Sequence, residues 1–155
     1  MKKILSTIVV LSTLFLTGCF EDINKTYNGP TVVEFNQAVI AAPAVGATYP
    51  LVSVNRGVGL QTTRINLVGA QRPNAETIKV SVDPATTATD GTHFKIVTSN
   101  VTIPANSSFG DFQIDILAAP AQAGKTVNVV LVLEGNGADI KPNENFKKLG
   151  FAIRL

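Results

Sequence analysis

Tryptophan is absent from this chain, and histidine and cysteine occur once each, as His93 and Cys19. One thiol cannot form a disulfide within the chain, and one imidazole without a free thiol beside it cannot build a zinc site from His and Cys ligands. A lone histidine also narrows nucleophilic catalysis to His93 acting on Ser107 or Ser108. Those serines lie in a turn-like run, Asn106 to Gly110, without the strand-to-helix setting of a hydrolase nucleophile. Without tryptophan, and with only Tyr27 and Tyr49 as tyrosines, the chain has few rings on which a sugar could stack. Phe109 is the one aromatic expected in an exposed position. Charge is sparse as well: Asp, Glu, Lys and Arg make up 15% of residues, the net charge is +2, and no basic cluster argues for nucleic acid.

Two partial motifs fail on geometry. Asp111 and Asp115 share a strand face, but four residues of extended chain place their Cβ atoms about 13 Å apart, beyond the spacing of a glycosidase pair. Gly124-Lys125-Thr126 resembles the tail of a phosphate loop, yet Ala119 stands where the first glycine belongs and a strand pattern follows. The expectation is a non-catalytic protein with no cofactor.

What the chain does have begins at its amino end. Met1-Lys2-Lys3 precedes an apolar stretch from Ile4 to Leu16, followed by Thr17, Gly18 and Cys19. This is the layout of a secretory signal, residues 1–18, and the stretch is shorter than the roughly 20 residues a membrane-spanning helix needs. Leu16-Thr17-Gly18-Cys19 resembles the lipobox of bacterial lipoproteins. The resemblance implies cleavage before Cys19, a diacylglycerol thioether on its sulfur and an acyl chain on its new amino group. Several chains together would hold the protein durably at a membrane.

Loss of Lys2 and Lys3 leaves eleven basic residues against eleven acidic ones, so the mature protein would be close to neutral. Residues 19–30, the lipidated cysteine and "FEDINKTYNGP", lack periodicity and end on a Gly-Pro turn signal, the pattern of a flexible tether. Eleven residues reach about 36 Å at most. Phe20-Glu21-Asp22 also resembles the acidic surface-export signal of Bacteroidota lipoproteins, with Phe20 departing at its first position. The expected location is the outer membrane, lipid-anchored, with display at the cell surface as a hypothesis.

From Thr31 to Leu155 the period is two. Phe112, Ile114 and Ile116 alternate with Asp111, Gln113 and Asp115, and Ile78, Val80 and Val82 repeat the pattern. In "KTVNVVLVLEG", Val127, Val129, Leu131 and Leu133 share a face with Val130 and Val132 opposite, which predicts a central strand. Val32–Phe35, Tyr49–Val54, Ile65 with Leu67, His93–Val97, Val101–Ile103 and Leu149–Leu155 complete the set. The expectation is an all-β, single immunoglobulin-like sandwich of seven to nine antiparallel strands over residues 31–155, without amphipathic helices and with its last strand paired into a sheet.

"ATDGTHFKIVTSNVTIPANSSFGDFQIDI", Ala88 to Ile116, resembles Calx-beta-like and related immunoglobulin-type modules. "ADIKPNENFKKLGFAIRL", Ala138 to Leu155, resembles the closing strand of small Bacteroidota lipoproteins. Calx-beta relatives can hold Ca²⁺ through a Gly-x-Asp-Tyr element and a later acidic cluster. Here the element reads Gly91-Thr92-His93-Phe94, and an imidazole is a poor ligand for an ion that takes six to eight oxygens. Asp83, Asp90, His93, Asp139 and Glu144 are thus candidates for ligand-binding loops, with no metal expected. The resemblance implies a binding or scaffold lipoprotein at the envelope, accessory to glycan or nutrient capture, with a glycan or an outer-membrane protein as partner. The alternative is an adhesin or pilus-like subunit that assembles through an edge strand.

Overall fold

The computed structural model describes residues 27–155. The signal 1–18, the lipobox residues Leu16, Thr17 and Gly18, Cys19 and most of the tether lie outside the described residues. Ten strands form in chain order: β1 Val32–Phe35, β2 Leu51–Asn55, β3 Gly59–Val68, β4 Glu76–Val82, β5 Phe94–Ile96, β6 Asn100–Ile103, β7 Phe109–Ile116, β8 Thr126–Gly135, β9 Lys141–Pro142 and β10 Lys148–Arg154. They make two five-stranded sheets, ordered β5-β7-β3-β1-β9 and β2-β10-β8-β4-β6.

Alternation places the inward residues of both sheets in one core. Val33, Phe35, Ile65, Phe112 and Ile114 from the first sheet meet Ile78, Val101, Val129, Leu131, Leu149 and Ile153 from the second, all nearly or wholly buried. With no disulfide within reach, this burial is the main favourable term, at about 1.5–3 kcal/mol for each large apolar side chain before the entropy of ordering is set against it. β8 is central, as its two apolar faces predict. Val130 on its outer face is buried too, beside the chain after β4: Asp83 N–H donates to the Val130 carbonyl at 2.8 Å and Val130 N–H to Thr86 Oγ1 at 2.9 Å.

Four details differ from the sequence expectation. The strand count is ten because β9, two residues long, carries no period to read. Its Pro142 needs no donor, since the neighbouring Lys141 and Asn143 N–H groups reach the Thr31 and Val33 carbonyls. The pairing is not wholly antiparallel: β1 runs parallel to β9, and β2 parallel to β10. β2 enters its sheet from the opposite layer, so no hairpin dictates its direction. The crossing chain forms one helical turn, α1, Asn36–Ile40. Finally, Val82 shares parity with Ile78 and Val80 but ends its strand exposed.

Candidate functional site

The outer face of the first sheet is built by the even residues of β3 and the odd residues of β7. Register places Asn66 opposite Phe109, Arg64 opposite Asp111 and Thr62 opposite Gln113, with Glu34 of β1 on the other side of Asn66. Phe109 is 48% exposed, large for an aromatic ring. The Arg64 guanidinium lies 4.7 Å from the centroid of that ring, and its Nε is 3.8 Å from Asp111 Oδ1. The cation thus stacks over one face of the ring and reaches the carboxylate, a cluster that forms the plate of this face, held by a cation–π contact and an ion pair that in water are each worth about 1 kcal/mol or less.

One border of the plate is fixed by amides. Asn66 Nδ2 donates to Asn36 Oδ1 at 3.3 Å, and Asn143 Nδ2 donates to Glu34 Oε2 at 2.9 Å. Glu34 is only 9% exposed, so the Asn143 contact satisfies a carboxylate that solvent barely reaches. The turn before β7 orients Phe109: Ser107 Oγ donates to the Phe109 carbonyl at 3.1 Å and accepts its N–H at 3.2 Å. The arrangement offers an apolar ring surrounded by donors and acceptors on both edges, a surface suited to polar ligands that also carry C–H faces.

A second hollow of about 450 Å³ lies on the other sheet, lined by Thr77, Lys79, Asn100, Glu134 and Asn136. It has no aromatic wall, and Glu134 there already accepts a hydrogen bond from Ser81 Oγ.

The loop residues singled out from sequence are not brought together. Asp83 pairs with Lys148 at 2.6 Å and accepts the Ala85 N–H at 2.8 Å. The Lys148 contact, seconded by the Ala85 N–H, holds its carboxyl below 3.8. Asp139 bonds Arg72 at 2.5 Å and Asn136 at 3.3 Å. The Asn136 amide first, then Arg72, lowers its pKa. Glu144 pairs with Lys147 at 2.6 Å. Asp90 Oδ1 accepts the Gly91 N–H at 2.9 Å, and His93 Nδ1 accepts the Thr89 N–H at 2.8 Å. Asp90, His93 and Glu144 brace their own loops, while Asp83 reaches Lys148 on β10 and Asp139 reaches Arg72 in the loop after β3. His93 sits at the carboxyl end of β7, where its carbonyl accepts from Leu117, while Ser107 and Ser108 sit at the amino end. Eight strand residues, about 26 Å, separate the histidine from these serines. Among the described residues, no three His, Cys, Asp or Glu groups converge as metal ligands would.

The sequence points to Phe109 as part of a turn; the structure makes it the first residue of β7. Nothing in the sequence marks Arg64, Asn66, Asn36, Glu34 or Asn143 individually. Their signal was the wet face of β3, which became meaningful only once register joined it to β7.

Residues 58–148 match the family described as Domain of unknown function (DUF4843). The chain belongs to that family. No curated protein matches it. Among solved structures, it is similar to the CBD1 domain of Calx in its apo form, at 13% identity and a TM-score of 0.61, covering 81% of this chain and 97% of that one. The Calx CBD2 domain follows at 11% identity and 0.57, covering 79% and 85%. A candidate carbohydrate-binding protein from Bacteroides ovatus is similar at 10% identity and 0.53, and this chain, 79% covered, spans 36% of it. At these identities the likeness establishes a shared fold, a Calx-beta-type sandwich.

Proposed function

We propose that this member of the DUF4843 family is a non-catalytic glycan-binding module, tethered by lipid at Cys19 to the outer membrane as an accessory to nutrient capture. The plate of Phe109, Arg64 and Asp111 carries the reading. Sugars present C–H faces to an aromatic ring while their hydroxyls exchange hydrogen bonds with carboxylates, amides and guanidinium groups, and all of these stand on one uncovered sheet face. Support comes also from the Bacteroides ovatus protein, whose fold includes a sandwich of this kind. The anchor rests on Leu16-Thr17-Gly18-Cys19 behind its apolar run.

The test is binding of residues 27–155 to an array of polysaccharides and host glycans, with heat-unfolded protein as control. The expected result is a specific hit that Phe109→Ala and Arg64→Ala each abolish, while Lys79→Ala in the second hollow leaves it intact. Silence across the array from folded protein, or a hit lost only with Lys79→Ala, overturns the assignment to this face. For the anchor, cells fed labelled fatty acid should lipidate the wild-type chain and not Cys19→Ala. Cleavage of the protein by protease on intact cells would place it on the outer leaflet.

A further inference from the structure

The sandwich has four edge strands, and sheets with open edges guard them with short strands, lysine, proline or a covering element. β5 is three residues long and carries Lys95; β9 is two residues and contains Lys141 and Pro142. β6 is closed against β7, where a Cβ on Gly110 would stand 2.6 Å from the Thr102 carbonyl. Among the described residues β2 has no lysine or proline, and only the Ala42–Ala47 loop stands beside its first residue, Leu51. The strand is five residues, Leu-Val-Ser-Val-Asn, without charge or proline. Pro50 accepts the Gly150 N–H at 3.0 Å and Arg56 donates to the Arg154 carbonyl at 3.0 Å, so the even positions face β10. Alternation in a parallel pair then turns the backbone groups of Leu51 and Ser53, and the Asn55 N–H, away from the sheet.

The surroundings identify the occupant. Phe35 to Asn55 is a run of 21 residues with no Asp, Glu, Lys or Arg, the longest such run among the described residues. Leu51 on this strand is one of their exposed large apolar side chains, and the hollow beside it is lined by the uncharged Ala42, Ala44, Ala47 and Tyr49. A twofold contact sets a residue on the axis beside its own copy, so a charge there would meet its like. This edge carries none, and it offers no charge with which to select a different partner.

We propose that two copies of this domain pair edge to edge through β2, antiparallel about a twofold axis at Ser53. Ser53 then bonds Ser53 reciprocally, Asn55 N–H reaches the Leu51 carbonyl on either side, and the two five-stranded sheets become one. The contact is small, so self-association is weak and concentration-dependent.

Among the described residues the buried core runs from Val33 to Ile153, so residues 27–155 contain both sheets, and they contain no cysteine. Ser53→Cys in this segment places two Cα atoms about 5.5 Å apart across the axis, inside the span a disulfide accepts. Mild oxidation should yield a covalent dimer, whereas the exposed Thr62→Cys should stay monomeric. Ser53→Lys brings two ammonium groups together and should weaken self-association in sedimentation equilibrium by about tenfold, with unchanged melting because Ser53 is exposed. A wild-type domain that stays monomeric at millimolar concentration overturns the proposal, as does a Ser53→Lys variant that associates like wild type. So does a monomer that takes up an extended apolar peptide along β2.

Discussion

Replacing Gly135 with alanine should destabilise the domain by about 2–5 kcal/mol, and the comparison with Gly124 shows why. Gly135 ends β8 with a φ of 81°, and a Cβ there would collide with the backbone carbonyl of Ile140. The left-handed conformation costs an L-residue about 1–2 kcal/mol, and overpacking against groups that cannot rotate away costs about 1–3 more. Gly124 has nearly the same φ, 75°, with nothing within 4 Å of the added carbon, so Gly124→Ala carries only the first cost. In a domain of this size about 4 °C of melting temperature corresponds to 1 kcal/mol, giving a loss of about 8–20 °C for Gly135→Ala and about 4–8 °C for Gly124→Ala. Circular dichroism melts of the two variants, with urea midpoints as a second measure, decide the matter. Equal losses would mean that the Ile140 carbonyl moves aside freely. The turn from Asn136 to Ile140, in which Asn136 Oδ1 accepts the Ala138 and Ile140 N–H groups at 2.9 and 3.0 Å, would then not be held as described.

Two further changes test how the second sheet is held. Because the Lys148 contact and the Ala85 N–H lower the Asp83 pKa from 3.8, the stabilisation is fully present above that value and is lost as pH falls through the lower, folded pKa. Urea midpoints should therefore show Asp83→Asn less stable than wild type at neutral pH, with the gap closing in acid; a gap that persists in acid rules out the ion pair as its source. Removing residues 148–155 takes away β10 and with it the only hydrogen-bonded neighbour of β2 among the described residues, so the truncated domain should lose cooperative unfolding in near-ultraviolet circular dichroism. A truncated chain that still melts cooperatively would show that β4, β6 and β8 suffice.

Much of the fold was legible because one physical signal, alternation, dominates the chain. Phe112, Ile114 and Ile116 could be assigned to the core by parity alone, and the two apolar faces of Val127 to Leu133 announced a central strand. What stayed hidden depends on partners distant in sequence. Lys141-Pro142 has no pattern of its own and becomes a strand only because β1 lies alongside. The parallel run of β2 follows from the route of the chain between layers, which no local residue records. The candidate site shows the same division: Phe109 stood out as an aromatic in a polar setting, but nothing in the sequence says that Arg64, 45 positions earlier, lies over its ring. Carboxylates such as Asp83 and Asp139 attract notice as potential ligands for a different reason. Sequence displays a carboxylate without the lysine, arginine or amide that engages it, and here each has one.

The ring plate and the β2 edge lie on different sheets, so pairing through β2 leaves both plates uncovered. That separation yields an expectation neither proposal makes alone. A site with one phenylalanine and no tryptophan binds a single glycan segment weakly. Two such sites in one dimer, facing a polysaccharide with repeated segments, make the second contact intramolecular, with an effective concentration in the millimolar range for a short connection. Ser53→Lys lies outside the plate and should leave affinity for a short soluble oligosaccharide unchanged. The same substitution should weaken retention on the immobilised polysaccharide by about tenfold or more. Surface plasmon resonance in both formats separates the cases. A parallel loss in the two would place Ser53 at the glycan site itself, and no loss in either would mean that pairing, where it occurs, does not act on capture.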